Sequence, residues 1–195
     1  MGKTAKQIPW AQRHRVMIAR VIWLLLAIYV FGIERQPVQD LASIIGAAGV
    51  AIALLGVLVR SISAGILQKN EVLATSGIYA VVRNPLYLGS LLMMLGVNLI
   101  IWHPLVLIVS VILFAITYIP TIRNEEHGLE RRYGEQWRAY TRTTPRLLPN
   151  PLRLAELGKI RWSSTQWRHN HEHNTVVAAI ILLTLLQLYN LYWAH

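Results

Sequence analysis

"GIYAVVRNPLYLG", residues Gly77 to Gly89, sets a turn, an arginine and two tyrosines directly before a long apolar run. Gly77 and Pro85 mark the turn, and the residue before a proline is biased away from helix. A helix is therefore expected to start at Pro85 or Leu86, because proline suits the first helical turn. From Leu86 to Ile122 there is no Asp, Glu, Lys or Arg, and the run is too long for one membrane span. Trp102-His103-Pro104 lies in its middle, so the run reads as two helices joined by a tight turn.

The composition agrees with a membrane setting. The chain has 195 residues, 54% of them hydrophobic and 14% charged, with a mean hydropathy of +0.41; soluble domains carry about 25% charged residues. Three more stretches approach the length of about 20 apolar residues that a bilayer core needs. They are Val16–Ile33, provided that Arg20 snorkels to the interface, Leu41–Val59, and Asn174–Ala194, with Asn174 or Thr175 as its cap. The expected architecture is all-α and polytopic, with about five transmembrane helices. The chain has no cysteine, which excludes disulfides, thiolate metal sites and a cysteine nucleophile.

The basic residues predict the topology. With the N-terminus in the cytosol, segments 1–20, 60–85 and 123–175 lie inside and hold five, three and ten Lys or Arg, leaving only Arg35 of the chain's 19 outside. The net charge of +10 is thus spread along one membrane face, which argues against nucleic-acid binding. Lys3, Lys6, Arg13 and Arg15 precede an apolar stretch as in a signal sequence, but no small-residue cleavage pattern follows, so this segment reads as an uncleaved anchor.

Two segments carry chemistry. Arg83, beside the backbone N–H groups that open the helix at Pro85, would form a cationic pocket at the membrane surface, suited to a carboxylate or phosphate. The alternative is an interfacial anchor, with Arg83 on lipid phosphates and Tyr79 and Tyr87 in the aromatic belt. The second segment, "RNEEHGLERRYGEQWRAY", puts Glu125-Glu126 at an otherwise basic membrane exit. These acids read either as the first turn of a new helix or as ligands for something positive or rich in hydroxyls. Leu129, Tyr133, Trp137 and Tyr140 follow at helical spacing, as in an amphipathic helix on the membrane.

The order of these motifs, with a helical hairpin between them, resembles the integral-membrane methyltransferases related to isoprenylcysteine carboxyl methyltransferase and phospholipid methyltransferase. The resemblance covers roughly residues 70–149 and divides the chain into N-terminal membrane helices (1–69), a catalytic core (70–149) and an extension with the fifth span (150–195). Asn84 stands where the prenylcysteine enzymes usually have histidine; asparagine also occurs there among relatives. The resemblance implies a cytosol-facing S-adenosylmethionine pocket roofed by the segment after the hairpin. Tyr79, Arg83, Asn84, Pro85 and Tyr87 would line the cofactor or active centre, and Glu125 and Glu126 would bind the cofactor's polar groups. Arg83 and Glu126 are the candidates for catalysis, as orienting cation and as base.

The expected reaction is methyl transfer to a lipid-like acceptor that enters from the bilayer, with carboxyl O-methylation favoured over amine N-methylation. An NADPH-dependent sterol or enone reductase of similar helical core is one rival, with Arg131-Arg132 available for the extra phosphate. A non-enzymatic membrane scaffold is another. His169, His171 and His173 alternate before the last span; without a second cluster they read as a polar collar with Trp162 and Trp167 as anchors, and no metal site is expected.

Overall fold

The computed structural model describes residues 10–68, 72–159 and 162–193. Lys3 and Lys6 of the expected N-terminal anchor, and Ala194 at the end of the fifth span, lie outside the described residues, as do the side chains of Arg13, Arg15 and Arg20.

Among the described residues the chain is helical, without strands. Helix α1 (Trp10–Ala27) runs on into a π-helical segment, Ile28–Ile33. Helix α2 spans Ile44–Ile66, the single turn α3 Ile78–Val81, α4 Pro85–Ile101 and α5 Pro104–Tyr133. After α6 (Glu135–Thr143) come a 3₁₀ segment at Pro151–Lys159, α7 (Ser164–His169) and α8 (Glu172–Trp193). Helices α2, α5 and α8 are long and apolar enough to cross a membrane; α4 and the apolar part of the first helix, Met17–Ile33, are shorter. Leu54, Leu58, Ile112, Ile116, Ile181 and Leu185 are among the large side chains exposed on the outer helix faces. Such a surface suits lipid and would be an aggregation liability in water. This is a membrane protein.

Helices α2 and α4 pack most extensively, and glycine explains how closely they cross. A Cβ on Gly56 would lie 2.5 Å from the Gly89 carbonyl oxygen, and one on Gly96 2.5 Å from that of Gly49. The pairs Gly49/Gly56 and Gly89/Gly96 repeat at seven residues, so both faces are small at the crossing.

Several boundaries differ from the sequence expectation. Ser43 caps α2 by accepting from the Gly46 N–H at 3.0 Å, and the helix continues past Arg60 instead of ending at Val59. Arg60 does not stop the helix because the buried Glu172 takes its charge: Nε and one terminal nitrogen each lie 2.9 Å from a Glu172 oxygen. For the same reason α8 begins at Glu172 rather than at Asn174 or Thr175. The hairpin forms as expected, with Trp102 in the left-handed region (φ 51°) and Pro104 opening α5. Helix α5 then runs 30 residues, about 45 Å, through Pro120 to Tyr133. Glu125 and Glu126 therefore lie well inside a long helix, not in the first turn of a new one.

Candidate functional site

Gly77, with φ 60°, turns the chain into α3, whose four residues are all buried. Val82 is extended, and Asn84 precedes α4 without capping it. The Asn84 side chain instead donates to Glu126 Oε1 at 3.0 Å and to the Arg146 carbonyl at 3.1 Å. Its backbone carbonyl accepts from the N–H groups of both Tyr87 and Leu88, and Pro85 has no N–H to offer. Two of the first N–H groups of α4 are therefore already taken, and the cationic character expected at this helix start rests mainly on side chains.

Successive residues on a helix point about 100° apart, so the paired glutamates face different surroundings. Glu126 is buried beneath the 83–85 loop. Arg146 grips its Oε2 through Nε at 2.9 Å and a terminal nitrogen at 2.6 Å, while Arg83 Nε lies 3.7 Å from its Oε1. The hydrogen bond to Glu126 raises the Arg146 pKa further. Glu125 is exposed and accepts from the Tyr87 hydroxyl at 2.7 Å.

Glu125 and Tyr87 open onto a cleft of about 700 Å³, bounded also by Arg60, Tyr79, Arg83, Trp137 and Tyr140. Arg131 and Arg132 stand at its edge. The segment after the hairpin forms one wall: Gly134 (φ 51°) breaks α5 from α6, and Trp137 and Tyr140 pack with Leu73, Leu129 and Tyr133. The aromatic stripe read as a membrane-surface helix thus packs on the protein instead. The Tyr140 hydroxyl donates to the Tyr79 carbonyl at 2.6 Å. Burial pushes the Tyr79 phenol far up, with Tyr140 adding to the shift, and burial likewise raises that of Tyr140 against the opposing pull of Arg83. Both rings are therefore neutral hydrogen-bonding walls across the physiological range.

Of the residues expected at the site, Tyr79, Arg83, Tyr87 and Glu125 share the cleft. Asn84, Pro85 and Glu126 lie behind it and hold the loop in place. Sequence reasoning missed Arg146, which follows Pro145 in an irregular segment with no periodic signal, and the Arg60–Glu172 pair, whose partners are 112 residues apart. The expected histidine collar is partly ordered by ring contacts, with Trp167 and His173 centroids 6.0 Å apart. Among the described residues no three His, Cys, Asp or Glu side chains gather as a metal site.

A second cavity of about 490 Å³ lies among α1, α4, α5 and α8. Its walls are mostly apolar, including Trp23, Val30, Met94, Phe114 and Leu186. Tyr118 and Ser90, which line it, touch the cleft's own residues: the Tyr118 ring meets Tyr87 edge-on at 5.4 Å, and Ser90 accepts from Arg60 at 2.6 Å.

The helical core thus brings an arginine, a carboxylate and tyrosines to one cleft, with a mostly apolar cavity adjoining. Residues 44–136 match the sequence model of the phospholipid methyltransferase family. It is 29% identical over 86 residues to protein-S-isoprenylcysteine O-methyltransferase B of Arabidopsis thaliana, an alignment covering 42% of each chain. It is also 34% identical over 141 residues to the cobalt-zinc-cadmium resistance protein CzcN of Cupriavidus metallidurans, covering 70% of this chain and 64% of the relative. With the nickel-cobalt-cadmium resistance protein NccN of Alcaligenes xylosoxydans it shares 27% identity over 145 residues, covering 70% and 65%. The chain thus spans just under two thirds of the length of these two resistance proteins. No solved structure matches. The comparisons bear out the family resemblance read from the two motifs.

Proposed function

We propose that the chain is a membrane methyltransferase that uses S-adenosylmethionine in the cleft formed by Tyr79, Arg83, Tyr87 and Glu125. The observation that carries this reading is the 2.7 Å bond between Tyr87 and Glu125, one residue from each motif, at the wall of a cleft of about 700 Å³. That volume lies within the range of about 300–1,000 Å³ usual for small-ligand sites. The residues suit the cofactor: Glu125 accepts from an ammonium or ribose hydroxyls, and the Arg83 guanidinium at the cleft wall holds a carboxylate. When bound, the cofactor supplies an electrophilic methyl group on a sulfonium. Glu126 is a positioning residue in this scheme, fixing Arg83 and Asn84 from behind.

The acceptor's apolar tail occupies the 490 Å³ cavity and its head reaches the cleft past Tyr87 and Tyr118. Arg83, Arg131 and Arg132 outweigh Glu125 around the cleft, a balance that favours an anionic head, hence carboxyl O-methylation over methylation of an amine. A bound cofactor would supply its methyl group to a carboxylate that is already ionised, with the electron pair of the carbon–sulfur bond left on sulfur. No proton moves, so the side chains need only orient the two partners and exclude water. The positive residues around the cleft support a cytosolic placement of the site. The test is thermal stabilisation of the detergent-purified chain by S-adenosylhomocysteine, with NADPH in parallel. A shift with S-adenosylhomocysteine is expected; a shift with NADPH alone would replace this reading by the reductase.

A further inference from the structure

The wall formed by Arg83 and Trp137 has a second side. Behind it lies a cavity of about 220 Å³, lined by Arg83, Arg123, Arg138 and Arg146 together with His127 and Thr141. Its acidic members are Glu126 and Glu130, and both carboxylates are already engaged. Glu126 binds Arg146 and Asn84, and Glu130 lies 3.3 Å from Arg138 Nε. Four guanidinium groups therefore face two occupied carboxylates. Arg123 makes no hydrogen bond or ion pair with any described residue, and the buried Arg83 Nε lacks an acceptor, an arrangement that folded proteins seldom leave uncompensated.

The location and size narrow the ligand. Arg123 is the first charged residue after the apolar run that opens α5, which puts the cavity at the level of the lipid headgroups. The volume falls below the usual range of about 300–1,000 Å³ for whole small-molecule ligands. It suits one compact tetrahedral anion, for which several arginine forks are the matching recognition group. We propose that this pocket is a phosphate site, separate from the cleft, that takes a phosphate mono- or diester at the membrane surface. The proposal does not rest on the methyltransferase reading.

The test is thermal unfolding of the full chain in dodecyl maltoside, which contains no phosphate. One arm compares sodium phosphate with sodium chloride at equal ionic strength. The other compares mixed micelles containing phosphatidylglycerol with micelles containing diacylglycerol. Stabilisation by inorganic phosphate identifies a free anion as sufficient; stabilisation by phosphatidylglycerol alone identifies the lipid diester. In either case, Arg123→Gln/Arg138→Gln must weaken the apparent affinity by about tenfold or more, while Arg142→Gln, an exposed arginine outside the pocket, must not. Thr141→Glu must weaken it as well without removing an arginine, which keeps the test open if the double variant does not fold. No response of the native chain to either phosphate source, or an undiminished response in these variants, overturns the proposal.

Discussion

Asn84 Nδ2 lies 3.0 Å from Glu126 Oε1, across 42 residues of sequence. This contact joins the loop before α4 to the polar half of α5 and makes one site of two motifs. It also separates the roles of the paired acids, since Glu126 faces the loop while its neighbour Glu125 faces the cleft.

Glu126→Gln leaves Arg83 and Arg146 without their carboxylate in a buried position. We predict a loss of about 2–4 kcal/mol of stability, measured by unfolding in detergent. Asn84→His, which keeps a ring N–H donor at this position, should cost less than Asn84→Ala. Glu125→Gln, at an exposed position, should change stability by no more than about 0.5 kcal/mol.

The α2–α4 crossing depends on hydrogen as the side chain. Gly56→Ala and Gly89→Ala should each destabilise by about 1–3 kcal/mol through overpacking. Gly128→Ala, in α5 where an added methyl group would meet nothing within 4 Å, should be neutral or stabilise by up to about 1 kcal/mol. Thermal unfolding of the three variants side by side checks this.

The Arg60–Glu172 pair holds α8 to α2 and α4, because Arg60 also donates to Ser90 and Thr175. Either Arg60→Gln or Glu172→Gln should cost about 3–5 kcal/mol. The double variant should cost much less than the two singles added together, a coupling that a double-mutant cycle reads directly.

The two buried phenols predict an alkaline limit. Both folded pKa values are raised above the ordinary value of 10.0, first by burial. Their stabilising contribution is therefore complete below pH 10 and is lost as the pH rises beyond it, because the unfolded chain ionises first. Tyr140→Phe should cost about 1 kcal/mol at pH 7 through the lost bond to the Tyr79 carbonyl. Its stability should then fall less steeply than that of the native chain above pH 10, as followed by unfolding against pH.

The hairpin was legible in the sequence because Trp102-His103-Pro104 interrupts an uncharged run. The four cleft residues Tyr79, Arg83, Tyr87 and Glu125 were legible because their motifs stand out from apolar surroundings. The continuation of α5 was not, since Arg123 and the two glutamates look like a membrane exit, and only Gly134 ends the helix. The same holds for α2, where Arg60 looked like a terminus until Glu172 supplied its countercharge. Local pattern marks where charge occurs but not which distant side chain neutralises it, so Arg146 and Glu172 emerged only with the fold.

On the proposed reading, the Tyr87–Glu125 cleft binds the cofactor while Glu126 only supports it. The most direct test is the equilibrium affinity of S-adenosylhomocysteine for the native chain and for Glu125→Gln and Tyr87→Phe, each first shown to be folded. The native chain should bind, with a loss of about tenfold or more in Glu125→Gln and a smaller loss in Tyr87→Phe. Absence of binding by the native chain, or native affinity in both variants, would contradict this reading.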